Sequence, residues 1–315
     1  MKIGLIADEF TTTLLKYEHG LELVLIDPDF WRMQLCCHQI DILLVESAWL
    51  GVKGKWRKKI ACYTDVKPDN TLEKITNYCR KKSIKTVFWN KEDPVHFQRF
   101  AHNLAWFDVC LTTEESLVAE YKQRYTQLET VAVMPFFFQP KLHNPKRGEQ
   151  VNRLAQDIIF CGGLYKQEFP ERAERLLMAI DAFKDKEFTV FDRFNQGNNS
   201  WAQHKGFKRE QAFNYIDSKK YYQSGHTHIN VNTCDGSKTM FSRRMLELLA
   251  CGTRVIDITK HKHKHKGVLS HLTIQANSIT DLKKSLDKSA PEIPFDYLEE
   301  NYSVANFTKK LSHYI

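Results

Sequence analysis

At 315 residues the chain is long for one core and suits two domains of about 150 residues each; 42% apolar and 27% charged side chains are the balance of a globular protein. No apolar run approaches the roughly 18 residues of a membrane span, and eight scattered cysteines without a C-x-x-C pair indicate neither a disulfide framework nor a zinc site. Forty-six basic against 38 acidic side chains leave +8, a modest bias towards an anionic partner that solvated lysines explain as well.

The opening MKIGLIADEF is too short and too soon acidic for a signal peptide and reads as a first strand. Most cysteines lie in apolar segments, where they behave as small hydrophobes, so a reducing cytoplasm is the expected compartment. Short apolar runs predict strands over 2–7, 21–26, 41–46, 85–90, 107–112 and 130–135. Amphipathic segments predict helices between them, over 72–82, 95–106 and 114–125. The polar stretch HNPKRGEQVNR (143–153) reads as a linker. The alternation then restarts, with strands over 157–163, 187–192, 228–233 and 254–258 and helices over 170–183, 209–222 and 239–250. One or two further helices close the chain. The organisation expected is a first domain over 1–150, a second over 151–293 and a helical tail, 294–315, packing back on the first. Two successive β-α-β runs imply an α/β protein of two Rossmann-like, doubly wound sheets, with ligands beyond the carboxyl ends of the strands and a central cleft as the natural site.

The segment DGSKTMFSRRMLELLACGTRVID (235–257) follows a predicted strand and runs turn, helix, glycine, strand. Ser237 or Thr239 is placed to cap the helix, and Gly252 stands where a left-handed C-cap belongs. A helix start at a strand's carboxyl end presents backbone N–H groups and positive dipole, which suits phosphate. Hydroxyls of Ser237, Thr239 and Ser242 and the charges of Lys238, Arg243 and Arg244 would add to it. GSKT is not a Walker A loop, because Ser237 interrupts the Gly-Lys pair and the first glycine is missing. Glu247 lies four residues after Arg243 and three after Arg244, so it either pairs with them on a solvated face or turns to the cleft and holds a vicinal diol.

This segment resembles the corresponding element of GT-B glycosyltransferases, in which a glutamate before a small-residue and glycine turn binds the ribose of a nucleotide-sugar. More narrowly, SKTMFSRRMLELLACGTRVI resembles the spore maturation protein CgeB family of glycosyltransferases. So do WNKEDPVHF (89–97), FDVCLTT (107–113), PFFFQPKLHNP (135–145) and DIIFCGGLY (157–165), in family order. The resemblance implies a GT-B fold, a nucleotide-sugar co-substrate (a UDP-sugar foremost), ribose on Glu247, and transfer without a metal or other cofactor. It departs at Thr239, eight residues before Glu247, where many retaining GT-B enzymes carry a second glutamate; retaining stereochemistry is therefore not carried over.

In FCGGLYKQEFPERAER (160–175), Gly162 and Gly163 would admit a ligand close to the backbone and Arg172 or Arg175 would reach a diphosphate; the plainer reading is a tight turn with surface arginines. The family match favours Gly163 and Arg172. Asp192 and Arg193 end the next strand and point to the same edge, where this fold often meets the base. In the first domain, Glu92, Asp93 and His96 end a strand and are candidate acid–base groups, although Asp93 would equally cap a helix opening at Pro94. Trp49, in ESAWLGVKGKW, stacks on a sugar or belongs to the core. In KHKHKHK (260–266), extended chain would align His261, His263 and His265 for a metal, but a charged loop or a basic lip for an anionic acceptor fits as well.

The function expected is transfer of a sugar from a nucleotide-sugar to an acceptor, such as an anionic cell-surface polymer, a protein or DNA. The alternatives are a nucleotide-sugar epimerase or hydrolase on the same fold, and a non-enzymatic basic nucleic-acid-binding protein.

Overall fold

The computed structural model describes residues 1–67, 69–147, 158–194, 201–260 and 268–315. In the first half, β1 (Lys2–Ile6), β2 (Glu22–Leu25), β3 (Ile42–Glu46), β4 (Lys85–Asn90), β5 (Val109–Thr112) and β6 (Thr130–Val133) form one parallel sheet in the order β2-β1-β3-β4-β5-β6. Parallel strands covered on both faces need apolar side chains in unbroken runs. ILLVE of β3 meets that demand, being buried at all five positions, and so does TVFWN of β4. The register sets Glu46 opposite Trp89 and Asn90 opposite Thr112, so polar residues finish the central strands at one edge.

The second sheet contains β7 (Ile158–Cys161), β8 (Phe188–Asp192), β9 (Lys208–Gln211), β10 (Thr227–Asn230), β11 (Val255–Ile258) and β12 (Ile274–Ala276), ordered β12-β11-β10-β7-β8-β9 and again parallel. Its core gathers Phe160, Leu176, Phe183, Val190, Trp201 and Ile256. Two strands depart from the expectation. β9 reads KREQ, an exposed edge with no apolar signal, and occupies residues expected to begin a helix. The helix expected over 209–222 is reduced to Ser218–Tyr222, and β12 is only three residues long. The 95–106 helix is likewise a short turn, Phe97–Phe100, continued as 3-10 helix over Ala101–Trp106.

The chain divides into two compact units, Met1–Gln139 with Tyr302–Ile315, and Pro140–Asn301. The helix Val304–Ser312 completes the first: Phe307 lies 4.2 Å from Phe137 and 5.2 Å from Trp89, and Ser303 bridges to Phe138. The boundary expected at 150/151 lies outside the described residues, as do His261, His263 and His265. Among the described residues no helix is long and apolar enough to cross a membrane.

Candidate functional site

In the second unit the helix of the DGSKTMFSRRMLELLACGTRVID segment spans Arg243–Ala250, four residues shorter at its start than expected. Its cap is Ser242, not Ser237 or Thr239: Ser242 Oγ accepts from Met245 N at 3.2 Å and donates to Asn230 Oδ1 at 2.8 Å. Ser237 instead accepts from the amides of Met240 (2.9 Å) and Thr239 (3.3 Å) and shapes the turn ahead of the helix, where Lys238 is exposed. Arg243 and Arg244 therefore form the helix's first turn, beside its positive end. The other end closes as expected at Gly252, with φ +67°. Gly252 N donates to Leu249 O and Thr253 N to Leu248 O, the paired bonds of a Schellman cap.

Arg244 runs back along the sheet edge. Its guanidinium donates to Cys161 O and, at 3.1 Å, to Asn230 Oδ1, and lies 4.8 Å from the centre of the Phe160 ring. Arg172, only 5% exposed, donates to Gly163 O at 2.9 Å and lies 5.2 Å from the Tyr165 ring centre. Burial, and then the neighbouring Arg244, lower its pKa. Two guanidinium groups thus converge on the Gly162–Gly163 turn, each held by carbonyl oxygens and ring faces. The nearby Arg175 pairs with Asp235 at 3.1 Å. The turn admits no side chain: a Cβ at Gly162 would stand 2.7 Å from Arg244 Nη1, and one at Gly163 2.4 Å from the Phe194 ring. Arg193 joins this edge by donating to Tyr165 Oη at 3.2 Å. Asp192 does not: it is fully buried and accepts from Arg209 at 2.5 and 3.1 Å, so its carboxylate ties β8 to β9.

Glu247 is 2% exposed, so it does not lie on a solvated face. Its Oε1 accepts from Tyr215 Oη at 2.5 Å and its Oε2 from Tyr222 Oη at 3.1 Å. Burial, with the Glu247 charge next, raises both phenol pKa values well above the usual range. The ring of His143 lies 5.7 Å from that of Tyr215 and 5.9 Å from that of Tyr222, and its Nε2 is 2.8 Å from Ser218 Oγ.

In the first unit the carboxyl ends of β1, β3 and β4 bring charged groups together. Lys91, 8% exposed, lies 3.0 Å from Glu92, 3.4 Å from Asp8 and 3.8 Å from Glu46. Asp8 also accepts from the amides of Trp49, Leu50 and Gly51 at 3.1, 3.0 and 2.8 Å. Burial works against ionising Glu92, but the charge and hydrogen bond of Lys91, with His96 and Trp49, together outweigh it and hold the pKa below the usual value. His96 meets the Trp49 ring edge-on at 4.9 Å, while Trp56 is a core residue whose indole donates to Ile26 O. Asp93 neither caps a helix nor reaches the surface. It is fully buried and accepts from Asn90 (2.8 Å), Thr112 (2.6 Å) and Tyr121 (2.7 Å).

No known family's sequence profile matches the chain, and no curated protein matches it by sequence. Solved structures do match by shape. AviGT4, a glycosyltransferase involved in avilamycin A biosynthesis, superposes with TM-score 0.61 at 9% identity, over 100% of this chain and 97% of that one. The T4 phage BGT complex with UDP and Mn²⁺ gives 0.56 at 11% identity, over 100% and 99%. The fold is GT-B. A Listeria monocytogenes protein assigned as UDP-N-acetylglucosamine 2-epimerase gives 0.53 at 10% identity, over 99% and 96%, so the GT-B architecture is not confined to transferases.

Asp8, Glu46, Lys91, Tyr215 and Tyr222 belong to these two constellations and were missed in the sequence. Asp8, Glu46 and Lys91 carry a findable signal, since each ends a strand of the GT-B sheet or follows one within two residues. Among the described residues no group of three or more His, Cys, Asp or Glu side chains is arranged to hold a metal ion.

Proposed function

We propose that this protein is a CgeB-like glycosyltransferase that moves a sugar from a nucleotide-sugar, a UDP-sugar foremost, to an acceptor such as a cell-surface polymer, a protein or DNA, with no metal taking part. The observation that carries the reading is the convergence of Arg172 and Arg244 on the Gly162–Gly163 turn, beside the first turn of the helix that bears Glu247. Two cations held by carbonyl oxygens and ring faces leave an electrostatic demand that a diphosphate meets. Glu247, just over one helical turn further on, is then the acceptor for ribose hydroxyls.

Catalysis on this reading is positioning plus stabilisation of the leaving diphosphate by the arginines and the helix dipole. In the first unit, Glu92 is the proton acceptor for the attacking hydroxyl, being ionised at neutral pH, and His96 orients the acceptor. Asp93 holds Asn90, Thr112 and Tyr121 behind them and is a positioning residue. A second reading, a nucleotide-sugar epimerase or hydrolase, shares the donor site and draws on the likeness to the Listeria protein. Turnover of donor without acceptor at rates matching transfer would favour it.

The test is a thermal-shift series with nucleoside diphosphates and their sugars. At a hundredfold its Kd the bound nucleotide adds about 2.7 kcal/mol of stability. Absence of any response across the series overturns the proposal.

A further inference from the structure

Asn230 ends β10 and Asp257 stands beside it in register on β11, both fully buried. Asp257 uses its oxygens as acceptors, the one role a carboxylate has. Its Oδ1 accepts from Asn230 Nδ2 at 2.7 Å, and Asn232 Nδ2 lies 3.4 Å from Oδ1 and 3.5 Å from Oδ2. An asparagine amide carries its donors on one arm and its acceptor on the other, so a carboxylate that claims the nitrogen fixes where the oxygen points. Asn230 Oδ1 therefore faces Ser242 Oγ (2.8 Å) and Arg244 Nη2 (3.1 Å), and Asn232 Oδ1 faces the Ser242 amide (2.9 Å). Turned the other way, Asn230 would set its N–H groups against the guanidinium, donor against donor, and contest the hydroxyl that caps Met245 N.

We propose that Asp257 is a positioning residue of the nucleotide site: acting through Asn230, it aims the Arg244 guanidinium at the diphosphate. The proposal rests on the assignment of Arg244 to the diphosphate. Asp257 itself, being fully buried, touches no ligand. Its part is to choose between two orientations of a neutral amide that are equal in shape and opposite in polarity. With the Asn230 oxygen held towards it, Arg244 keeps a second anchor besides Cys161 O, so less freedom is lost when a phosphate binds.

Calorimetric titration of UDP, and of uridine as the probe without phosphate, into wild type, Asp257→Asn, Arg244→Gln and the double variant tests this, with circular dichroism checking that each is folded. Asp257→Asn keeps the shape but offers Asn230 a donor as readily as an acceptor. UDP should then bind about fivefold more weakly, the scale of one hydrogen bond, and uridine should stay within about twofold. Added to Arg244→Gln, Asp257→Asn should change UDP binding by less than about twofold, because a residue that acts through Arg244 has nothing left to act on. Unchanged UDP binding in Asp257→Asn, equal losses for UDP and uridine, or the same loss with and without Arg244 overturns the role of Asp257 alone. UDP binding that is absent from wild type, or indifferent to Arg244→Gln, overturns the diphosphate assignment and this role with it. If Asp257→Asn does not fold, Asp257→Ser, smaller and likewise able to donate or accept, carries the same comparison.

Discussion

The hydroxyl of Tyr121 donates to the carboxyl group of Asp93 across 2.7 Å, in a site that water does not reach. Thr112 donates to the same oxygen and Asn90 to the other, yet burial prevails over these bonds and pushes the Asp93 pKa up to about 7. Asp93 is thus protonated in the folded protein at pH 5, where the unfolded chain has already lost that proton. Its contribution favours folding below its unfolded pKa near 4 and declines as pH rises through about 7. The total is on the order of 4 kcal/mol. Asp93→Asn should flatten this part of the profile, measured as the difference in urea midpoint between pH 5 and pH 8.

Lys91 neutralises Asp8, Glu46 and Glu92 while itself nearly excluded from solvent. Lys91→Met removes the cation and leaves three carboxylates facing one another, which should destabilise by about 3–5 kcal/mol in denaturant unfolding. Glu92→Gln keeps the shape and should leave unfolding nearly unchanged. With a working donor and acceptor in hand it should lower kcat by roughly 10²–10⁴. A full-rate Glu92→Gln enzyme would remove Glu92 from the chemistry.

Arg244 and Glu247 are assigned different parts of one ligand, so their variants should separate. Arg244→Gln should weaken UDP at least tenfold while leaving uridine, which has no phosphate, within about twofold. Glu247→Gln should weaken both. Equal losses for UDP and uridine in Arg244→Gln would place the guanidinium away from the diphosphate.

Truncation at Glu247 carries a structural penalty as well. Glu247→Ala strands the hydroxyls of Tyr215 and Tyr222, an effect of about 1–3 kcal/mol in unfolding free energy. Glu247→Gln keeps an acceptor for one of them and should be milder. For that reason it is the better variant for binding measurements.

Apolar runs located ten of the strands because a parallel sheet covered on both faces demands them, and LACGT located the helix end because a left-handed turn demands glycine. Other features depend on partners distant in sequence. KREQ pairs as a strand only because β8 offers it an edge, so its composition carries no warning. The start of the helix at Arg243 follows from Asn230 and Asn232 taking hold of Ser242, twelve and ten residues away respectively. The direction of Glu247 is set by Tyr215, thirty-two residues earlier. Asp192 read as a ligand contact until Arg209, on an unforeseen strand, claimed it. Local pattern specifies elements; a buried polar group's role is decided by whichever remote group satisfies it.

The return of the chain to the first unit at Tyr302 has a consequence for synthesis. The second unit is one continuous stretch and is made in full before the helix Val304–Ser312. The first lacks a wall until Val304–Ser312 arrives, so Phe307 reaches Trp89 and Phe137 only after the whole second unit has been made. The half of the protein made first is therefore the half finished last, and a ribosome stalled near residue 300 would display an aromatic surface that the released chain conceals.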